Sequence, residues 1–148
     1  MLIYYSNSIM ADVLTPKKRG LNMSKILSKH TSPELLVRKA LANLGLRYRL
    51  HVKSLPGNPD IVFRKNNTAI FINGCFWHQH KGCKRATSPK SNIDYWKPKL
   101  ERNIEKQKQN LKELKKLGWK TVVIWECEVK NSDKLNKILP KIYETNNF

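Results

Sequence analysis

The residues best suited to chemistry are concentrated in one short segment, residues 74–83, which reads Gly-Cys-Phe-Trp-His-Gln-His-Lys-Gly-Cys. It holds two of the three cysteines and two of the four histidines, and the third cysteine follows downstream. Thiolates and imidazoles bind Zn²⁺, which takes four such ligands tetrahedrally. The chain therefore has enough ligands for one closed, structural zinc site: Cys75, His80, Cys83 and Cys127. The alternative, three buried and unreactive cysteines, is disfavoured because this polar loop also contains histidines and lysines.

The histidines of this loop are expected to have different roles. His80 is preferred to His78 as the zinc ligand because two residues separate it from Cys83, which is a common ligand spacing. His78 is then left without a metal to bind, and imidazole can accept a proton near neutral pH. We therefore interpret His78 as a candidate general base, against the alternative that it only supports the metal loop. The other histidines, His30 and His51, indicate no more than surface or strand polarity.

Asp60 is a candidate ligand for a different metal. It follows Pro59 at the start of a predicted strand, and a carboxylate at such a strand edge holds Mg²⁺ near the scissile phosphate in metal-dependent nucleases. The alternative is that an aspartate after proline is simply a turn residue. The next strand has no acidic residue or lysine at the matching positions, because Phe-Ile-Asn stands there. Another group must then activate water, and His78 is available.

Three large aromatic residues, Phe76, Trp77 and Trp96, allow two interpretations. Aromatic side chains usually fill a core, and a metal loop needs some covering. Two of them, however, lie between a predicted metal ligand and His78 on a strongly basic protein, and apolar wedges of this kind unstack base steps in DNA. Spacing alone leaves both interpretations open.

Composition favours a nucleic-acid partner. The 148 residues include 29 Lys and Arg against 11 Asp and Glu, a formal net charge of +18, which attracts a polyanion. A membrane is disfavoured because no stretch is apolar enough to span one and no strongly basic amphipathic helix stands alone. Three cysteines cannot all pair, which favours a reducing cytoplasm. The first ten residues lack the marks of a signal peptide, and Met10-Ala-Asp could itself be a start, so that residues 1–9 would be a translated leader.

The domain organisation follows from the chain length and from residues that begin and end helices. A basic, partly flexible arm, residues 1–30, is expected to precede a single domain, residues 31–148. The domain begins with a helix capped by Ser32, with Pro33 in its first turn and Gly45 just past its end. The expected buried stripe of this helix consists of Leu36, Val37, Ala40, Leu41 and Leu44.

Alternation and turn residues predict the other elements. The expected strands are residues 46–52, 60–64, 68–72 and 119–125, and the last of them is apolar enough to be fully buried and delivers Cys127. A long helix opens or kinks at Pro98 and ends near Gly118, with an inner face of Leu100, Ile104, Leu111, Leu114 and Leu117. A final helix covers residues 132–143. This order predicts an α/β fold, a mixed sheet with helices on its faces.

Together these residues resemble one family closely, the very short patch repair (Vsr) DNA mismatch endonucleases. The resemblance covers about residues 11–129, in the family's order, and the joint presence of Gly-Cys-Phe-Trp-His and Trp-Glu-Cys is highly specific. The matching segments are Asn22-Met23-Ser24, Pro33-Glu34, the run Leu-Pro-Gly-Asn-Pro-Asp ending at Asp60, Gly-Cys-Phe-Trp-His ending at His78, His80 with Cys83, Tyr95-Trp96, Asn103, and Gly118-Trp119 through Trp-Glu-Cys ending at Cys127.

This resemblance implies a restriction-endonuclease-like fold, with a central mixed sheet flanked by helices. It implies an enzyme that nicks one strand of duplex DNA 5′ to the thymine of a T·G mismatch, the product of 5-methylcytosine deamination. It also implies a companion DNA cytosine methyltransferase and stimulation by a mismatch-repair protein. An asymmetric mismatch nicked on one strand suits a monomeric protein. The expected location is the cytoplasm, with association with the nucleoid when the protein is bound to DNA.

The resemblance also implies roles for individual residues. Asp60 would bind Mg²⁺, with the backbone carbonyl of Ile72 as a second ligand. His78 would activate the attacking water, and Glu34 would hold water around the metal or assist the site. The implied DNA contacts are Phe76, Trp77 and Trp96 beside the mispair, Lys99 and Asn103 at the mismatched pair or the adjoining backbone, and Met23 in an arm that embraces the duplex from the other groove.

The sequence departs at Ile72-Asn73 from a well-known family member, in which Thr-His stands immediately before Gly-Cys. A carbonyl ligand survives any side-chain change, but asparagine can donate a hydrogen bond to phosphate without relaying a proton near pH 7. Asn73 is therefore expected to assist catalysis less, with activity slower or resting more on His78. Two alternatives stay open: a related Mg²⁺-dependent restriction-type nuclease or nickase with another target, and a non-catalytic zinc-bearing module that binds distorted DNA.

Overall fold

A four-stranded mixed sheet forms the centre of the protein. The computed structural model describes residues 15–26 and 28–143, so the predicted leader and the beginning of the arm lie outside the described residues. In sheet order, the strands are β1 (Arg49–Leu50), β2 (Ile61–Phe63), β3 (Thr68–Asn73) and β4 (Lys120–Trp125). The pairs β1–β2 and β2–β3 are antiparallel, and β3–β4 is parallel.

Helices cover both faces of this sheet, which confirms the predicted α/β class. The helices are α1 (Pro16–Ser24), α2 (Ser32–Asn43), α3 (Ile93–Lys116), α4 (Glu126–Val129) and α5 (Ser132–Tyr143). One core cluster packs α2, α4 and α5 against one face of the sheet, with Val37, Leu41, Ile61, Ile70, Ile124 and Ile142 fully buried. A smaller cluster packs α3 against the other face through Ala69, Phe71 and Leu114. No helix within the described ranges is long and apolar enough to cross a membrane.

Helix α2 has a narrower apolar stripe than predicted. Its N-cap is Thr31, whose hydroxyl accepts a hydrogen bond from the backbone N–H of Glu34, and not Ser32. Leu36 and Leu44 were wrongly expected inside; they are 43% and 47% exposed. The buried face instead runs along Glu34, Val37 and Leu41, which recur at spacings of three and four and so lie on one side of the helix. A carboxylate thus occupies a position on the buried face of α2.

Helix α3 begins earlier than predicted. It starts at Ile93, so Pro98 lies inside it and does not open it. Leu100 and Leu114 are buried as expected, but Leu117 is 61% exposed. The reason is that α3 ends at Lys116 and the chain then turns at Gly118, where φ is +80° and a glycine is favoured. These boundaries still direct the inner face of α3 toward the sheet.

The outer strands are less regular than predicted. Strand β1 covers two residues of the expected seven, and β4 is half-buried, with only Ile124 fully buried among its residues. In the described sheet β4 is an edge strand, which explains its exposure. The predicted arm contains a helix, α1, that periodicity did not indicate. Its Arg19 is buried and lies 4.9 Å above the ring of Tyr95, so α1 packs on the start of α3.

Candidate active site and metal centre

Asp60 is fixed by the backbone of the neighbouring strand. It directly precedes β2, and its Oδ2 accepts a hydrogen bond of 2.7 Å from the N–H of Ile72 in β3. Burial raises the pKa of Asp60 to about 6, against the opposing effect of this N–H; the charge of Glu34 raises the pKa further and His51 lowers it. The surroundings therefore stabilise the ionised form of this carboxylate only in part, and a bound cation would stabilise it further.

Glu34 and Asp60 belong to the same site, and His51 lies between them. The Glu34 side chain is 2% exposed, and its Oε1 lies 3.0 Å from His51 Nε2. The other ring nitrogen of His51 lies 4.0 Å from Asp60 Oδ1. The second oxygen of Glu34 accepts a hydrogen bond of 2.7 Å from the N–H of His30. His51, for which the sequence indicated only polarity, therefore lies between the two predicted carboxylates.

One signal in the sequence could have identified His51. Strands β1 and β2 pair with Leu50 opposite Ile61, so the next residue of the hairpin, His51, stands opposite Asp60. The N–H of His51 donates a hydrogen bond of 3.1 Å to the carbonyl of Asp60. Fixing that hairpin register would have brought His51 to the carboxylate. Alternation alone did not, because His51 has a φ of +48° and leaves the strand pattern.

Asn73 and His78 line one side of a cavity of about 300 Å³, together with Gln107 of α3 and Trp125 of β4. Asn73 is 5% exposed and follows Ile72, the residue that holds Asp60. Burial lowers the pKa of His78, so its imidazole is neutral near pH 7. Its Nδ1 has no hydrogen-bond partner within the described residues. The ring is therefore in the protonation state that a proton acceptor needs.

The four predicted zinc ligands are brought together. One ligand atom from each of Cys75, His80, Cys83 and Cys127 lies within 4.8 Å of the other three. His80 Nδ1 is 3.3 Å from the sulfur of Cys127 and 3.7 Å from that of Cys75. Burial raises the pKa of Cys75 to about 12 and also raises that of Cys127, so a divalent cation would be needed to stabilise both as thiolates. The donor set fits a metal ion.

The sheet itself positions this cluster. Cys75 follows the end of β3 and Cys127 follows the end of β4; these strands are parallel neighbours, with Asn73 opposite Trp125. Trp125 stacks on His80 with ring centroids 4.0 Å apart and an interplanar angle of 2°. Within the loop, His80 and Cys83 are held by consecutive backbone hydrogen bonds, from His80 N–H to the Cys75 carbonyl and from Cys83 N–H to that of His80. The metal loop is therefore anchored at both strand ends.

An aromatic cluster adjoins the metal loop. The ring of Phe76 lies 5.1 Å from that of Trp77 and 5.6 Å from that of Trp96. Trp96 is 6% exposed, whereas Phe76 and Trp77 are partly exposed and cover it. In the chain without DNA, Trp96 packs against the other two rings on their side facing the protein interior. Phe76 and Trp77 are consequently the apolar groups that a ligand would meet first.

Two polar residues of α3 contact the aromatic cluster. Asn103 donates a hydrogen bond of 3.3 Å to the carbonyl of Trp77, and Lys99 Nζ lies 5.7 Å from the centre of the Trp77 ring. Lys99 also donates a hydrogen bond of 3.0 Å to the hydroxyl of Tyr95. Met23 is half-buried in the last turn of α1. The other five predicted DNA contacts lie together in one cluster, in which Trp96 is buried.

Comparison with known proteins identifies relatives along most of the chain. A family model described as DNA mismatch endonuclease Vsr matches residues 11–85. The type II nicking enzyme V.NmeAIP of Neisseria meningitidis is 46% identical over 137 residues, covering 90% of this chain and 97% of that protein. The type II nicking enzyme V.XorIIP of Xanthomonas oryzae is 42% identical, covering 91% and 98%. The DNA mismatch endonuclease Vsr of Escherichia coli is 35% identical, covering 85% and 80%.

Proposed function

The chain belongs to the Vsr family of DNA mismatch endonucleases, and from this we propose that it nicks one strand of duplex DNA 5′ to the thymine of a T·G mismatch. Such a mismatch arises when 5-methylcytosine is deaminated. The observation that carries the proposal is the carboxylate of Asp60, held by the N–H of Ile72 at 2.7 Å and joined through His51 to Glu34. A protein that only bound DNA would not need two partly desolvated carboxylates in one site.

We assign the catalytic Mg²⁺ to Asp60 and to the backbone carbonyl of Ile72. The N–H and C=O of one residue in a strand point to the same side, so the Ile72 carbonyl is directed toward the side on which its N–H meets Asp60. Two oxygen donors suit Mg²⁺, which usually keeps several of its waters. When bound, Mg²⁺ would neutralise charge on the phosphate in the transition state.

The proton transfers fall to residues of this chain. His78, neutral because burial lowers its pKa, accepts a proton from water as the water oxygen bonds to phosphorus. The bond from phosphorus to the leaving sugar oxygen breaks, and that oxygen takes up a proton from solvent water. Asn73, which shares the cavity with His78, donates a hydrogen bond to a phosphate oxygen. Glu34, which accepts a hydrogen bond from the N–H of His30, orients water beside Asp60.

A zinc ion in the Cys75, His80, Cys83 and Cys127 cluster would be structural, because four protein ligands leave no position for water. It would hold the loop that carries Phe76, Trp77 and His78 at a fixed place relative to the ends of β3 and β4. That rigidity is what a catalytic base and a DNA wedge both require.

Mismatch selection is assigned to the aromatic cluster. A T·G wobble pair stacks and pairs less well than a Watson–Crick pair, so inserting Phe76 and Trp77 there costs less free energy. Trp96 supports both rings and enters the opened step with them, while Lys99 and Asn103 contact the mismatched pair or the adjoining backbone. Met23 and the basic arm hold the duplex from the other groove. The formal net charge of +18 supplies affinity that is independent of sequence.

Partners follow from the same chemistry. The enzyme that makes 5-methylcytosine, a DNA cytosine methyltransferase, would create the sites at which the mismatch later appears. A mismatch-repair protein would stimulate the nick or act after it. An asymmetric lesion cut on one strand needs a single copy of the chain.

The proposal is tested by a nicking assay with Mg²⁺ on end-labelled duplexes that carry one T·G pair in varied flanking sequence. We expect one cut, 5′ to the mismatched thymine, and no cut in matched C·G duplexes. Asp60→Ala should abolish the cut and retain binding to mismatched DNA. Cutting of matched duplexes would favour the second candidate, a nickase with another target, which the names of the relatives V.NmeAIP and V.XorIIP support. Tight binding with no cutting would overturn the enzyme assignment.

A further inference from the structure

Two buried polar atoms face each other at the edge of the proposed active site without a hydrogen bond. The Glu34 side chain is 2% exposed, and neither its Oε1 nor His51 Nε2 has a hydrogen-bond partner within the described residues. Buried polar atoms are nearly always satisfied, and an exception calls for an explanation such as an ion. The two atoms are nonetheless 3.0 Å apart. Their separation is that of a contact, but the direction of the ring N–H is not that of a hydrogen bond.

A shared metal ion would account for this geometry. Two ligand atoms at metal-bond lengths of 2.0–2.2 Å and at a right angle around one ion are about 3 Å apart. A third donor is at hand, because one ligand atom each from His30, Glu34 and His51 lie within 4.8 Å of one another. We propose that His30, Glu34 and His51 form a second divalent-cation site, which takes a first-row transition metal such as Mn²⁺ in preference to Mg²⁺.

The surroundings of His51 share one feature with those of metal-binding histidines, a carboxylate near the second ring nitrogen. Such a histidine usually donates its other ring N–H to a carboxylate, which fixes the tautomer and the ring orientation. The second nitrogen of His51 lies 4.0 Å from Asp60 Oδ1, so this carboxylate is the group available for that role. His51 and His30 both have positive φ angles, of 48° and 54°, in a region that residues other than glycine seldom adopt. The two imidazoles meet edge to face, with centroids 5.2 Å apart, beside Glu34.

Arg38 is the competitor for this site. Its Nη1 lies 3.0 Å from His30 Nδ1 and 3.7 Å from Glu34 Oε1, so a guanidinium already supplies positive charge to two of the three ligands. The Arg38 side chain is 25% exposed and can turn into solvent when an ion binds. The other charged group that faces the site is Asp60, which favours a cation. The positive charge of Arg38 therefore competes with a cation for this site and can move away when the cation binds.

The donor set determines which ion is preferred. Two imidazoles and one carboxylate suit Mn²⁺, Fe²⁺, Co²⁺ or Zn²⁺, whereas Mg²⁺ prefers oxygen ligands and its own waters. Three protein ligands also leave coordination positions for water or for a phosphate oxygen of DNA. The inference goes beyond the proposed function, which does not involve a metal ion at these three residues. Binding of the ion can be measured without DNA and without catalysis.

The test is a Mn²⁺ titration, without DNA, of the full-length chain carrying one equivalent of Zn²⁺ for the cysteine cluster, followed by electron paramagnetic resonance. With excess Mg²⁺ present to occupy the site at Asp60, we expect one Mn²⁺ to remain bound, with a pulsed spectrum that shows ¹⁴N coupling from imidazole. Because this signal is read on the unmutated protein, it does not depend on whether a variant folds. If the Mn²⁺ that remains bound in excess Mg²⁺ showed no nitrogen coupling, or if no Mn²⁺ remained bound, the proposal would be overturned.

Variants assign the signal to the three residues. His51→Asn and His30→Asn keep a residue that tolerates positive φ and remove the imidazole; each should weaken Mn²⁺ binding by at least about tenfold. Lys53→Asn, at an exposed position in the same segment, is the matched control and should bind as the unmutated chain does. Asp60→Asn should retain the nitrogen coupling. Its loss there, or unchanged binding in His51→Asn, would contradict a separate site.

Arg38→Gln provides the most discriminating result. Removing a positive charge that competes with the ion should tighten Mn²⁺ binding by about tenfold. If Arg38 instead belonged to a closed structural ion pair with Glu34 and His30, its removal would leave Mn²⁺ affinity unchanged or lower it. Either of those outcomes would overturn the proposal.

Discussion

Asp60 and Ile72 are joined across two antiparallel strands by a hydrogen bond of 2.7 Å from a backbone N–H to a carboxylate oxygen. Asp60 precedes β2, and Ile72 lies one residue before the end of β3. Because the donor is a backbone group, the position of the carboxylate depends on the register of β2 and β3 and not on the side chain at position 72. The hydrogen bond therefore does not depend on the isoleucine side chain at position 72.

Replacing Asp60 should stabilise the fold at neutral pH. Burial raises the pKa of Asp60 from 3.8 to about 6, so the stability linked to its proton is complete below pH 3.8 and is lost as the pH rises through about 6. Asp60→Asn removes that cost, and its amide oxygen can still accept from Ile72. We expect a gain of about 1–2 kcal/mol in the free energy of unfolding at pH 7.5 without added Mg²⁺. Urea denaturation measures it.

The gain should shrink as the pH falls from 7.5 to 5, because Asp60 itself then becomes protonated. Asp133→Asn, at an exposed position in α5, is the matched control and should give no gain at either pH. A gain in Asp60→Asn that did not change with pH would contradict the assignment of the cost to this carboxylate.

His78→Ala should reduce the rate of nicking by about 10²–10⁴-fold, which is the usual contribution of a general base. Binding to mismatched DNA should change little. Since burial lowers the pKa of His78 below 6.5, nicking at saturating Mg²⁺ should persist to lower pH than a free imidazole would allow. Thr87→Ala, exposed in the connection that follows the metal loop, is the control. A midpoint of the acid limb above pH 6.5 would argue against His78 as the base.

Cys127→Ser should remove one of four metal ligands and lower the melting temperature by roughly 10 °C or more. Treating the unmutated chain with a strong chelator should give a similar drop, measured by calorimetry together with metal analysis. The two treatments should not add, because both release the same ion. A chain that melted unchanged after either treatment would show that the cluster holds no structural metal.

Phe76→Ala should weaken binding to a T·G duplex by about tenfold, in line with the loss of one stacking contact, and change binding to a matched duplex little. The ring is partly exposed and contacts both tryptophans of the cluster. Leu117→Ala, at a 61% exposed position on the far end of α3, is the apolar control. Fluorescence anisotropy with the two duplexes measures the ratio; equal losses on both would mean that Phe76 contributes affinity without discrimination.

The sequence was most informative where spacing is fixed by covalent geometry or periodicity. The proximity of Cys75, His80, Cys83 and Cys127 and the presence of the final helix were correctly expected. Errors arose where tertiary contacts override local pattern. Leu36 and Leu44 looked like core residues, but Glu34 occupies the buried stripe of α2.

Long-range contacts account for the other omissions. Helix α1 has no clear apolar periodicity, yet it packs on α3 through the buried Arg19 and the ring of Tyr95. His51 seemed unremarkable because its importance depends on the β1–β2 register and on a positive φ angle, neither of which is visible in composition. The role of His51 becomes visible only once the pairing of β1 with β2 is known.

The parallel pairing of β3 with β4 has a consequence for how the protein is made. Synthesis runs from the N-terminus, so Glu34, Asp60 and His78 leave the ribosome long before Cys127 does. Until β4 is added, β3 lacks its parallel neighbour and the loop has three of its four metal ligands. An unfinished or prematurely terminated chain therefore carries Glu34, Asp60 and His78 without the strand that completes the sheet beside them. The sheet and the cluster of Cys75, His80, Cys83 and Cys127 are thus completed only after residue 127 has been translated.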